Sequence, residues 1–527
     1  MTGPVQGIPG EGDEGQTPGV VRGGTFVSLA ELDERAGKAS SGLCSLGVSP
    51  GDTIALLLRN DHAFFEASFA AATVGAAPVP INWHSSAEEV TYVLGDAKAS
   101  VLVAHADLLW GMRSAIPPGT TVLGVETPRE IAAAFGVPGS QRSVPGDIAK
   151  WSDWLEGYDP IAEPSAANPL SMIYTSGTTG RPKGVRRLPG ADDAEQAADY
   201  MVDVARVLGL APGMRTVITG PMYHTAPNAY AMTAARLCGG YLVLQNRFDP
   251  EELLALIERH RITSVHMVPT MFVRLLRLPA DVRDRYDLSS LVHVVHAAAP
   301  CPVEVKRAMI DWLGPIVHEY YGGTETGAVV GCTSEEWLTH SGTVGRTLAT
   351  CTVRILDDEG ATGPVGEPGE VFMRAGGFPD FTYEGLSQAR ADVERQGLFT
   401  CGDIGYLDSD GFLHLCDRVR DMIISGGVNI YPAEVEACLL TLPGIADCAV
   451  FGIPDPEYGE AVAAAIELAA GANVTKGEIE AHVREHLAGF KVPTLIEFHD
   501  RLPREDSGKM FKRRLRAPHW EQAGRAI

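Results

Sequence analysis

The sequence predicts an α/β protein with a large N-terminal domain of mainly parallel sheets flanked by helices, followed by a small, mobile α+β C-terminal domain. Three observations predict it. Short apolar, β-branched runs alternate with helical periodicity from Thr25 to about Leu415. A stretch biased to glycine and hydroxyl residues, "YTSGTTGRPKGV" (Tyr174–Val185), sits between a strand-like run and a helical one. From about Ile430 the alternation gives way to helix, strand, turn, strand and helix over roughly one hundred residues, an ordinary domain size.

The elements follow in order. Residues 1–22 are acidic and rich in Gly and Pro, with no apolar core of a secretory signal, and read as a disordered tail. Residues 23–418 form the large domain. "DTIALLL" (Asp52–Leu58), "SVLVAH" (Ser100–His105), "TSVHMVP" (Thr263–Pro269) and "LVHVVHAAAP" (Leu291–Pro300) read as buried strands. "HAFFEASFAAATVG" and "PEELLALIERH" carry helical periodicity. "LSMIY" predicts a strand entering the glycine-rich loop. After the loop, Ala194, Ala197, Ala198, Met201, Ala205 and Leu208 recur at helical spacing until Gly209 stops the run. Strand, loop and then helix is an arrangement that suits a nucleotide. "CDRVRDMIISGG" (Cys416–Gly427) reads as a junction, with the hinge at 419–421 and the small domain at 422–527.

At 527 residues the chain is too long for one core. Lys+Arg 43 against Asp+Glu 67 leaves −24, which argues against nucleic acid or an anionic membrane as partner. No apolar run approaches the roughly 20 residues of a spanning helix. The nine cysteines show no CxxC pair and no Cys/His ligand spacing, which fits a reduced cytoplasm and no structural zinc.

The glycine-rich stretch carries the chemistry. Gly177, Gly180 and Gly184 let the backbone approach a ligand closely, while Thr175, Ser176, Thr178 and Thr179 add hydroxyl donors. Arg181 and Lys183 add positive charge, an inventory suited to a phosphate chain. Polar turns share this composition, but not over twelve residues with two cations. A Walker loop is excluded, because Gly180 is followed by Arg181-Pro182-Lys183-Gly184, and Pro182 has no N–H to give.

With "PMYHTAP" (Pro221–Pro227), "HAAAPCP" (His296–Pro302), "YYGGTETG" (Tyr320–Gly327), "FTCGDIGYLDSDGFLHLCDR" (Phe399–Arg418), "MIISGGVNIYPAEVE" (Met422–Glu436) and "LPREDSGKMFKRRL" (Leu502–Leu515), the loop resembles the ordered signatures of the adenylate-forming superfamily. "GGVNIYPAEVE" and "CPVEVKRAMIDWLG" look like its acyl-CoA synthetase branch. The resemblance implies that a carboxylate attacks the α-phosphate of ATP, releasing pyrophosphate, and that CoA then takes the acyl group. The ligands it implies are a small carboxylic acid, ATP, Mg²⁺ and CoA.

Site residues follow from the same resemblance. Thr175, Ser176, Gly177, Thr178, Thr179, Gly180 and Lys183 would hold the β- and γ-phosphates. Glu325 would hold Mg²⁺ and Thr324 an α-phosphate oxygen. Tyr321 and Gly322 would lie against adenine, facing Ala297, Ala298 and Ala299. Asp403 would accept the ribose hydroxyls, supported by Arg418. His224, His296, Ala297 and Gly323 would line the acyl pocket. Lys509 would bridge carboxylate and α-phosphate as charge builds; alone, a lysine there reads as a solubilising residue, as do Lys512, Arg513 and Arg514. Gly426 and Gly427 would line the CoA tunnel.

Two positions depart from the pattern. Arg420 occupies the pivot where Asp or Lys is usual. Cys401 replaces the threonine of "TGD", giving either the loss of one hydroxyl contact or a reactive thiol. Glu319 reads as a strand-end carboxylate with no assigned role, and His266 and His293 as core. The acyl group is expected to be bulky or polycyclic, with aromatic and medium fatty acids as alternatives. An adenylation-only enzyme that hands acyl-AMP to a carrier protein or partner ligase remains open, as does a homodimer. An inactive nucleotide-binding protein would be expected to have lost Lys509, Glu325 or the loop, and none is lost.

Overall fold

The computed structural model describes residues 17–522 except 166, 168, 176–181, 189, 191–192, 358, 419–420, 427 and 505–509. Its centre is a parallel run of strands, Arg215–Ile218, Tyr241–Leu244, Ser264–Met267, His293–His296 and Val317–Gly323. Their valine- and isoleucine-rich sequences are buried on both faces, as parallel strands covered by helices must be. The expected tail is corrected at its end. Gly19–Arg22 is a strand paired parallel to Tyr241–Leu244, because Val20 and Val21 find buried positions there.

Past Val317–Gly323 the same sheet turns antiparallel through Gly327–Cys332, Gly345–Thr347, Phe412–Arg418, Leu398–Leu407 and Gly369–Ala375. The large domain is therefore mixed, and of its central parallel strands Ser264–Met267 and His293–His296 are the two read as strands from the sequence. A second, parallel sheet carries Ala77–Pro80, Thr53–Leu57, Val101–His105 and Thr121–Val125. The helix His62–Val74 is apolar on nearly every face and correspondingly buried. Inside it, Glu66 accepts from Trp151 Nε1 at 2.6 Å and pairs with Arg35, which satisfies its buried charge.

A strand not read from the sequence lies between the glycine-rich stretch and the expected helix. Lys183–Arg187 forms that strand, antiparallel to Ile173–Thr175 and to Phe381–Tyr383. The helix runs from Ala194, as its periodicity predicts, with the Asp193 side chain capping it, and Gly209 ends it in the left-handed conformation. Periodicity found the helix; the β-branched and basic "KGVRR" run is short enough to pass for loop.

The small C-terminal domain has its own core of Ile423, Val435, Leu439, Val450, Ile466, Ile479 and Val483. Its long strands Ile445–Asp455 and Gly459–Leu468 pair antiparallel, with Leu495–His499 added in parallel. Helices Pro432–Leu440 and Lys476–His486 pack on one face of this sheet. Leu515, on the helix Lys512–Gln522, packs on the other against Phe451. No helix among the described residues is long and apolar enough to cross a membrane.

Candidate active site

The expected nucleotide residues gather where the central parallel strands end. His293–His296 and Val317–Gly323 are neighbours in register, His296 opposite Glu319, so Ala297–Ala299 and Tyr320–Gly322 leave the sheet side by side. Ligands in open α/β sheets bind beyond such carboxyl ends. Ala298 stands there at φ 74, a conformation alanine adopts only at a cost of roughly 1–3 kcal/mol, and such strain collects at functional sites.

The segment Tyr321–Thr326 is held from several sides. A Cβ on Gly322 would lie 1.8 Å from the Gly327 carbonyl oxygen, at the bulge where the strand pair slips register, so only glycine fits. At Gly323 the obstacle would be Cys401 Sγ at 2.4 Å. The Gly323 N–H donates to Thr326 Oγ1 at 3.0 Å, and the Thr324 and Thr225 hydroxyls share a hydrogen bond of 2.6 Å. Thr225 opens a helix reaching to Arg236. It therefore brings unsatisfied N–H groups and the positive end of a dipole to the hydroxyl expected at the α-phosphate.

Two residues not singled out in the sequence lock the turn from below. Arg187 donates to the carbonyls of Glu325 at 2.7 Å, Pro379 at 3.1 Å and Thr324, with its guanidinium 4.3 Å from the Phe378 ring centroid. Burial pulls the Arg187 pKa down to about 10, while Glu325 pulls the other way. The Tyr383 hydroxyl donates to Glu325 Oε1 at 2.9 Å, and Lys183 Nζ lies 5.1 Å from the centroid of the same ring. One aromatic thus joins the expected metal carboxylate to the lysine of the phosphate stretch. Neither "GVRRL" nor "FTYEG" carries a signal for these roles, because both act through strand pairing.

The ribose side is equally specified. Asp403 and Arg418 are directly opposite in the antiparallel pair and form an ion pair at 3.2 Å, while the Tyr321 hydroxyl donates to the other Asp403 oxygen at 2.7 Å. Each oxygen keeps a further lone pair for a ligand hydroxyl. Burial and the neighbouring Asp403 push the Tyr321 phenol well above its ordinary value, so it stays a donor. The ring is 9% exposed, leaving little more than an edge or face to offer a base.

His224 precedes the helix Thr225–Arg236, half-buried, with its ring 4.3 Å from that of Tyr223, which packs edge-on against Trp83. His296 is fully buried at the end of its strand, 5.1 Å from the Phe272 ring and 3.5 Å from Glu319. Glu319 is not a strand-end carboxylate. It lies buried within its strand and accepts from the fully buried Lys306. Burial pushes its carboxyl upward while the ammonium holds it down.

Cys401 is no reactive thiol. Burial first, then the charges of Glu325 and Asp403, raise its pKa well above the ordinary value and keep it protonated. The solvated reading of Lys512 is also overturned. Its ammonium lies 2.8 Å from Glu436, and although burial opposes its charge, Glu436, Asp417 and Asp421 outweigh burial and raise its pKa. Glu436 lies on the helix Pro432–Leu440, so Lys512 ties the helix Lys512–Gln522 to that helix, whose Ala433 N–H donates to Asp417 at 2.8 Å.

Ser176, Gly177, Thr178, Thr179, Gly180, Arg420, Gly427 and Lys509 lie outside the described residues. Their flanks are defined. Thr175 and Lys183 face each other across the strand pair. Arg504 and Met510 form an antiparallel bridge, with Arg504 anchored on Asp447 at 2.5 and 2.6 Å. The Gly426 N–H donates to the Tyr458 carbonyl at 2.8 Å.

A strained alanine turn, a carboxylate held by a phenol and an Asp/Arg/Tyr group thus lie together beyond the parallel strands, among the residues expected to meet a nucleotide. The family model described as AMP-binding enzyme matches residues 13–378, and that of the AMP-binding enzyme C-terminal domain matches residues 434–509. The chain belongs to this adenylate-forming family, in its acyl-CoA synthetase branch, and is an AMP-forming acid–thiol ligase. A feruloyl-CoA synthase of Amycolatopsis sp is 35% identical over 502 residues, covering 94% of this chain and 95% of its own length. A Mycobacterium tuberculosis protein named 3-[(3aS,4S,7aS)-7a-methyl-1,5-dioxo-octahydro-1H-inden-4-yl]propanoyl:CoA ligase is 34% identical, covering 92% of each. Among solved structures, the amide bond synthetase McbA of Marinactinospora thermotolerans superposes with a TM-score of 0.79 at 26% identity, covering 95% of this chain and 96% of its own.

Proposed function

We propose that this enzyme activates a bulky, ring-bearing carboxylic acid as its acyl-adenylate and transfers the acyl group to CoA. The observation that carries the reading is the clamped turn from Tyr321 to Glu325. It sets a hydroxyl, a carboxylate and a helix N-terminus around one point at the end of the parallel strands. The carboxylate oxygen attacks the α-phosphorus, the bond to the pyrophosphate oxygen breaks, and pyrophosphate leaves. One anion approaches another here, so donors and cations fixed in advance lower the barrier. In this reading Lys183 and the Thr175–Gly180 segment take charge on the departing pyrophosphate. Thr324 and Lys509 take it on the α-phosphate, and Asp403 holds the ribose.

The donor set at Glu325 suits Mg²⁺. One of its oxygens is occupied by Tyr383, which leaves the other for a hard cation that prefers one or two carboxylates plus substrate phosphates. Bound there, the ion would supply charge neutralisation between phosphate oxygens. In the second half-reaction the small domain turns about Arg420 and brings Gly426 and Gly427 toward the CoA arm, in place of Lys509. The names of the two relatives, one feruloyl and one octahydroindenyl, support a ring-bearing acid. Likeness to an amide bond synthetase supports the second reading, in which the acyl-adenylate passes to a partner other than CoA.

Incubating the enzyme with ATP, Mg²⁺ and a panel of ring-bearing and fatty acids, with and without CoA, tests both readings. The expected outcome is acyl-CoA by mass with a ring-bearing acid. Accumulation of acyl-AMP alone would favour the second reading, and no ATP–pyrophosphate exchange with any acid would overturn the first.

A further inference from the structure

Within the small domain, on the side of the sheet away from the helix Lys512–Gln522, stands a cluster that the adenylation chemistry leaves unused. Cys438 lies on the helix Pro432–Leu440. His482 and His486, four residues apart and so on one face, lie on the helix Lys476–His486 packed beside it. One donor atom from each residue, the thiol sulfur and a ring nitrogen from each histidine, falls within 4.8 Å of the other two. The pair His482 and His486 is visible in the sequence at helical spacing, but Cys438, 44 positions earlier, joins it only through packing.

The geometry points to a binding site for a thiophilic divalent cation of the zinc class, held by Cys438, His482 and His486 with water in the fourth position. Bonds of about 2.0–2.1 Å to nitrogen and 2.3 Å to sulfur place these tetrahedral donors roughly 3.3–3.6 Å apart. Modest side-chain rotations therefore close the cluster onto an ion. The His486 ring is already oriented. His486 Nδ1 lies 2.8 Å from the His482 carbonyl oxygen, which makes Nδ1 the protonated nitrogen and leaves the Nε2 lone pair for a metal. His482 Nε2 lies 3.1 Å from the Cys438 carbonyl oxygen and 2.9 Å from the Thr441 hydroxyl, so ligation through Nδ1 would keep these bonds and ligation through Nε2 would give them up. Cys438 is half-buried and His486 exposed, which gives an ion a path from solvent. The nearby carboxylate of Glu434 is engaged by Lys491 at 2.5 Å and is not counted as a ligand.

Binding breaks the Cys438 S–H bond, forms a sulfur–metal bond and releases the proton to solvent, with no change of oxidation state. The ion would staple two helices, the first of which receives the Asp417 carboxylate at the domain junction.

The test uses the full-length protein, reduced and stripped with chelator, titrated with Co²⁺ and with Zn²⁺. One ion per chain is expected, with a thiolate-to-cobalt absorption band that Cys438→Ser abolishes. Zn²⁺ affinity should fall at least about tenfold in His486→Ala, a substitution at an exposed position. The thermal midpoint should rise with Zn²⁺ in the wild type and not in His486→Ala. Absence of a saturable site would overturn the proposal, as would equal Zn²⁺ binding in the wild type and both variants.

Discussion

Replacing Arg187 with lysine keeps the positive charge under the Thr324–Glu325 turn and removes its shape. The guanidinium serves three carbonyls at once and stacks on Phe378, whereas an ammonium on a flexible stem can replace one of those bonds and none of the stacking. Hydrogen bonds to charged groups contribute roughly 1.5–3 kcal/mol each. Two are lost, and water recovers part of their value at a half-buried turn, so about 3 kcal/mol is the expected net effect. At 1.36 kcal/mol per decade this is a loss of about two orders of magnitude in kcat/KM for ATP. The assay is ATP–pyrophosphate exchange, normalised to folded protein by thermal melting. The burial that pulls Arg187 down to about 10 acts equally on a lysine, which starts lower, so residual activity should fall further as pH rises above 8. Exchange per folded molecule within about threefold of wild type would refute the claim that this arginine shapes the active-site turn.

Three further outcomes are expected. His266 is buried with its pKa lowered to about 4, chiefly by burial, against an ordinary 6.5. The unfolded chain therefore takes up a proton below pH 6.5 that the native state refuses until about 4, and native stability falls over that window by about 1.4 kcal/mol per pH unit for this group. His266→Gln should flatten that slope in urea titrations, and an unchanged slope would refute it. Cys401 should resist iodoacetamide at neutral pH in the native enzyme and react in urea; rapid native alkylation would contradict its raised pKa. Lys512→Met should destabilise the small domain by about 2–3 kcal/mol in denaturant. This is below the 3–5 kcal/mol of a broken, fully buried pair, because Glu436 keeps the Val450 N–H at 2.7 Å. No change in the denaturation midpoint would return Lys512 to the solvated surface.

The linear order of residues determined what depends on neighbours along the chain. Runs such as "TIALL" and "HAFFEASFAAATV" bury themselves whatever lies beyond them, so the α/β class and the most strongly patterned strands and helices were legible. The antiparallel half of the large sheet, the strand at Lys183–Arg187 and the pairing of Gly19–Arg22 were not. Tertiary structure alone decided that Arg187 and Tyr383 would hold a turn some 140 and 60 positions away, that Lys306 would meet Glu319, and that Lys512 would be drawn inward to Glu436. It also decided that Cys438 would face two histidines on another helix. The physical reason is the same in each case. Burial of an apolar stripe is set by local periodicity, but the partner of a charge or a hydrogen-bonding group is whichever group the packed sheets bring within about 3 Å, and sequence distance does not enter that choice.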